Sequence, residues 1–144
     1  MMKTIKEILA VKARPVVTIG PEDTVRSAIE LMRERDIGAV LVVEGSKLVG
    51  IFTERDCLHK VAGLDINQRL TRVREVMTEK VRFVTADLDV SEGLVLMTER
   101  FFRHLPVLDE NENILGIVSI GDLVKARMSQ QEFIIKQMEH YISS

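Results

Sequence analysis

Residues 16–61 read VVTIGPEDTVRSAIELMRERDIGAVLVVEGSKLVGIFTERDCLHKV, and residues 81–127 read VRFVTADLDVSEGLVLMTERFFRHLPVLDENENILGIVSIGDLVKAR. The second stretch repeats the first. Val25 aligns with Val90 and Met32 with Met97, both 65 positions apart; after one inserted residue, Gly50 aligns with Gly116 and Asp56 with Asp122, both 66 apart. The insertion falls in a polar stretch, Glu44 to Lys47 against Asp109 to Asn113, where a surface turn absorbs an extra residue. A repeat of this kind decides the architecture before any single motif is weighed. Each copy opens with a short β segment, at Val16–Ile19 and Val81–Val84. A helix follows, with Val25, Ala28, Ile29 and Met32 at i, i+3, i+4 and i+7 and with Asp23 or Thr24 as its N-cap; in the second copy Asp89 caps, and Gly93 replaces Ala28. Two β-rich runs come next, Ala39–Val43 with Leu48–Phe52 and Leu105–Leu108 with Ile114–Val118, each pair joined by polar residues as in a hairpin. A second helix opens at Thr53 and at Ser119. Each copy is β-α-β-β-α, so the expected class is α+β, two pseudo-symmetric repeats packed through their sheets because each sheet has a face to cover.

Outside the repeats, Met1 to Ala13 places Ile5, Ile8 and Leu9 on one face of a short helix, and Lys3, Lys6, Glu7 and Lys12 interrupt it too often for a secretory signal. Leu64 to Arg74 carries Asp65, Asn67, Gln68, Arg69, Arg72 and Arg74, a polar connector. Ile134, Met138, Tyr141 and Ile142 recur at helical spacing near the end. The expected divisions are an N-terminal helical segment 1–15, a first repeat 16–63, a connector 64–75, a second repeat 76–128 and a C-terminal helix 129–144. With 46% hydrophobic and 29% charged residues the composition is that of a globular domain, and no apolar run reaches the ~20 residues of a membrane span. A net charge of −2 gives no field to draw the chain to nucleic acid or to an anionic membrane. His59, His104 and His140 stand far apart and Cys57 has no partner cysteine, so neither a metal-ligand spacing nor an internal disulfide is expected; a reducing, cytoplasmic setting is. Nucleophile elbow, P-loop and dinucleotide glycine fingerprints are missing, and no catalytic residue is expected.

The sharpest local signals are Gly50-Ile51-Phe52-Thr53-Glu54-Arg55-Asp56 and Gly116-Ile117-Val118-Ser119-Ile120-Gly121-Asp122, each a strand running into a helix. One explanation is a capping box, in which the hydroxyl accepts from a first-turn amide and the carboxylate reaches back. The other uses the same geometry for a ligand. A helix N-terminus presents unpaired amides suited to a phosphate, and a two-oxygen carboxylate matches the adjacent hydroxyls of a ribose.

These motifs, recurring at this period inside β-α-β-β-α copies, resemble the cystathionine-β-synthase-type (CBS) domain family, whose nucleotide motif is Gly-apolar-x-Thr/Ser-x-x-Asp. The resemblance covers about Lys12 to Arg127. The second copy adds Arg103-His104-Leu105-Pro106-Val107, similar to the family's apolar-Pro-Val strand, where the first copy has Gly38-Ala39-Val40-Leu41-Val42 and lacks the proline. The resemblance implies a tandem pair with adenosine-nucleotide clefts between the repeats. It implies Asp56 and Asp122 as ribose ligands, and Thr53 and Ser119 as hydroxyl donors near phosphate. Thr18 and Ile19, with Phe83 and Val84, would flank adenine, and Ala39 with Leu105 and Pro106 would line the pocket. Arg55, Arg103 and His104 are phosphate candidates, Arg for its bidentate grip. Each basic residue also has a plain alternative, solvation or an ion pair with Glu75, Glu79 or Glu99. Gly121 stands where the first copy has Arg55, so the two sites should differ. The resemblance implies a stand-alone regulatory module sensing AMP, ADP, ATP or NAD(H), a homodimer, acting on a regulated protein in trans. The competing reading is a protein or nucleic-acid interaction scaffold without a nucleotide.

Overall fold

The computed structural model describes residues 3–12 and 14–143; Met1, Met2, Ala13 and Ser144, which belong to the expected terminal segments, lie outside the described residues. The chain divides into two compact units, residues 16–82 and residues 1–15 with 83–144. Each is α+β.

In the first unit, β1 (Thr18–Ile19) runs parallel to β2 (Ala39–Glu44), which pairs antiparallel with β3 (Lys47–Thr53). Between β1 and β2 lies α2 (Val25–Arg35), capped by Thr24, whose Oγ1 accepts from Ser27 N at 3.1 Å, while Asp23 serves Gly20 N instead. The periodic residues Val25, Ala28 and Met32 are buried with Val40, Val42 and Phe52 from the strands. After β3 a single turn, α3 (Glu54–Asp56), widens into a π-helical turn, Cys57–Ala62. Gly63 closes that turn by donating to Leu58 O; a Cβ there would meet His59 O at 2.6 Å.

The second unit has β4 (His104–Leu108) antiparallel to β5 (Ile114–Ser119), preceded by α5 (Val90–Arg100) and followed by α6 (Ile120–Ser143). The strand expected at Val81–Val84 shrinks to one parallel bridge between Val84 and Val107. The cause is Pro106. In the first unit Leu41 N donates to Val17 O at 3.4 Å; Pro106 holds the matching position and has no N–H, so that rung is lost. Gly93 is buried against Leu123, where a Cβ would meet Leu123 Cδ1 at 3.0 Å, so the glycine that weakens α5 lets α6 lie close.

Two expected boundaries change. The stretch read as connector and start of the second repeat packs on the first: α4 (Val73–Val76) buries Val73 and Val76, and Thr78 bridges Ile51. Correspondingly α1 (Ile5–Lys12) buries Ile5 and Ile8 in the second unit, with Ile5 N donating to Leu88 O at 3.0 Å. Each copy is thus completed by the segment preceding the other copy, a choice that the apolar stripe of a short helix does not specify by itself. The separate helices expected on either side of residue 129 are one, α6, because neither Gly nor Pro occurs after Gly121. Among the described residues no helix is long and apolar enough to cross a membrane.

Candidate functional site

The register of each hairpin brings its motif together. Ala39 lies opposite Thr53, and Glu54 N donates to Gly38 O at 3.0 Å; in the second unit His104 lies opposite Ser119, and Ile120 N donates to Arg103 O at 2.8 Å. Each helix therefore starts at the open end of its hairpin. Thr18 and Ile19 pair with Leu41 and Val42, two and three residues along from Ala39, which is about 7–10 Å at the rise of a strand. Ile19, Ala39, Val84, Leu105 and Pro106 have buried side chains, whereas Thr18, Arg55, Phe83 and Arg103 are exposed and His104 is half-buried.

The capping geometry is present in both copies. Thr53 N donates to Asp56 Oδ2 at 2.9 Å and Asp56 N to Thr53 Oγ1 at 3.3 Å; Ser119 N donates to Asp122 Oδ2 at 2.8 Å and Asp122 N to Ser119 Oγ at 3.1 Å. Beyond the box the copies diverge. Asp56 is 5% exposed, and its carboxylate accepts three hydrogen bonds, from Thr53 N and Thr53 Oγ1 on Oδ2 and from Thr78 Oγ1 at 3.2 Å on Oδ1, with the Lys60 ammonium paired to Oδ1 at 3.1 Å while it donates to Val76 O. Of the about four lone-pair directions of a carboxylate, internal donors take three, and both oxygens are engaged from within. The Asp122 side chain is 25% exposed, and its described bonds, from Ser119 N and from Lys12 Nζ at 2.8 Å, both fall on Oδ2. Burial pushes the Asp122 carboxyl up, but the bonds from Lys12 and Ser119 outweigh it and hold the group below its usual range.

Lys12, Lys60 and Thr78 did not figure among the site residues expected from sequence. Lys60 is legible as an i+4 partner of Asp56. Thr78 and Lys12 reach their carboxylates from 22 and 110 positions away, and no local signal announces them. Next to Asp56, burial first, then the charges of Asp56 and Glu54, push the Cys57 thiol up to about 11, so it is a protonated thiol at neutral pH. Among the described residues no three His, Cys, Asp or Glu gather as a metal site would require.

A profile of the family described as "CBS domain" matches residues 5–63 and again residues 73–129. The chain belongs to the CBS-domain family. Both matches begin at the helices that complete the opposite copy, α1 and α4. A CBS-domain protein of Burkholderia ambifaria has 45% sequence identity and superposes with a TM-score of 0.82, over 89% of this chain and 96% of its own. A protein of Acidianus ambivalens is 37% identical over 112 residues, 77% of this chain and 66% of its own length, and a mitochondrial CBS domain-containing protein of Arabidopsis thaliana is 36% identical over 84% and 61%. The chain thus spans two thirds or less of the length of these two relatives. The fold is also that of a CBS domain pair solved with 5′-methylthioadenosine and S-adenosyl-L-methionine, 24% identical with a TM-score of 0.77 over 90% of this chain and 99% of the other.

Proposed function

We propose that this CBS-domain pair is a non-catalytic regulatory module that binds adenosine nucleotides (AMP, ADP, ATP or NAD(H)) and reports their concentration. The observation that carries the reading is Asp122. It stands at the first turn of a 24-residue helix, beside the Ser119 hydroxyl, with one carboxylate oxygen outside its described internal bonds. Arg103 and Phe83, both exposed, belong to the same unit and offer a guanidinium for phosphate and a ring for a base. A likeness of 24% to a pair holding adenosyl compounds concerns the fold and carries no ligand identity across.

A second reading has its own support in Asp56, whose buried carboxylate closes a capping box and is engaged on both oxygens by internal partners. If Asp122 is of the same kind, the chain is an interaction scaffold. A thermal-shift panel separates the two. At 100 times Kd a ligand adds about 2.7 kcal/mol, which raises the melting temperature of a domain this size by about 5–10 °C. Adenosine nucleotides should produce that rise and guanosine and pyrimidine nucleotides should not; a flat response across AMP, ATP and NAD favours the scaffold.

A further inference from the structure

The same unit holds a group that the motif does not predict. Lys12 is the last residue of α1, a helix anchored by buried Ile5 and Ile8 and by Leu9 against Gly116. Its ammonium is delivered onto the motif from outside the repeat, 2.8 Å from Asp122 Oδ2 and 3.0 Å from Ile117 O, with the side chain 26% exposed. Asp122 Oδ2 then carries two donors, Ser119 N and Lys12 Nζ, while Oδ1 is outside these bonds. The two hydroxyls of a ribose need an acceptor site on each oxygen. Since Oδ2 has about two lone-pair directions and both are used, a ribose can grip this carboxylate through both oxygens only if Lys12 lets go. Copy one has no such single contact to release. Asp56 is held by Thr78 and Lys60 together as well as by its own box, and it is buried.

We propose that Lys12 is a specificity-determining residue of the Asp122 site, exchanging its bond to the carboxylate for one to the ligand's phosphate. The proposal rests on the adenosine reading above. An ammonium has three donors. Lys12 keeps Ile117 O as it moves, and the donor withdrawn from Asp122 finds a new anion only when the ligand brings one. Neutral adenosine displaces Lys12 and leaves it without an anionic partner; a phosphorylated adenosine replaces the lost ion pair. Lys12 therefore discriminates against the bare nucleoside.

The test is calorimetric titration of the full chain with adenosine and with AMP, for the parent, Lys12→Met and Lys12→Gln. The glutamine variant removes the charge and keeps a donor for Ile117 O, so it serves should the methionine variant melt below the assay temperature. Expected is a preference of the parent for AMP over adenosine that falls by about tenfold in either variant, with adenosine binding tighter and AMP weaker than in the parent. An unchanged AMP-to-adenosine ratio in variants that still bind both ligands overturns the role of Lys12 and leaves the adenosine reading standing. Absence of binding by the parent and by both variants overturns the adenosine reading, and the assignment of Lys12 with it.

Discussion

Asp56 and Asp122 occupy the same place in two copies of one motif, yet each receives its cation from a different element: Lys60 from the next turn of its own helix, Lys12 from α1. Ala126 takes the place of Lys60 in the second copy and is buried, so the i+4 cation of the first copy has no counterpart there. The consequence for pH follows from Asp122. Its folded-state carboxyl lies below the ordinary 3.8, so folding favours the ionised form. That stabilisation is fully present above the unfolded value and is lost as pH falls through the lower folded one. Parent and Lys12→Met should therefore differ in melting temperature at pH 6, and the gap should close below about pH 4. A gap that stays constant down to pH 2.5 would show that Lys12 stabilises α1 by some route other than this ion pair.

At the scale of elements, the motif glycines have a structural cause that the nucleotide reading does not supply. Gly50 of β3 passes so close to the segment after α4 that a Cβ would meet Met77 Sδ at 2.5 Å, Met77 Cγ at 3.0 Å and Thr78 O at 3.1 Å. Gly116 of β5 passes the end of Leu9 on α1, Cδ2 at 2.7 Å. A leucine tip can turn aside, whereas Thr78 O belongs to a backbone bridge. Gly50→Ala should cost about 1–3 kcal/mol and Gly116→Ala less, read as the order of their melting midpoints. Equal midpoints would mean that Met77 also moves freely. The hairpins were legible in the sequence because alternation and turn residues are local, and α2 and α5 because their buried positions keep a helical period. The π-helical turn, the rung lost at Pro106 and the exchange of α1 and α4 between copies were not, since each depends on which residue faces which across the fold.

Taken whole, the chain is a pair of CBS units, and among the described residues its last helix carries an exposed apolar stripe. The end of α6 exposes Ile134, Ile135, Met138, Tyr141 and Ile142, the last two at 84% and 80%. An exposed stripe of this kind suits an interaction surface, and the dimer expected from the family resemblance, the commonest closed assembly, is the occupant to test. Met138→Glu with Ile142→Glu should reduce a dimer to the 16.3 kDa chain in light scattering; a parent already at 16.3 kDa at micromolar concentration would remove the dimer from the account. The two copies were legible as a repeat, and Gly121 against Arg55 already set them apart, but the contacts of Lys12, Lys60 and Thr78 were not legible, because they depend on which residues meet across the fold. The most direct test of the central claim is titration of AMP into the parent, Asp122→Ala and Asp56→Ala, read for stoichiometry and affinity. One strong site per chain is expected, weakened about 10- to 150-fold by Asp122→Ala and kept by Asp56→Ala, which should only melt earlier. Parental AMP binding by Asp122→Ala would contradict it.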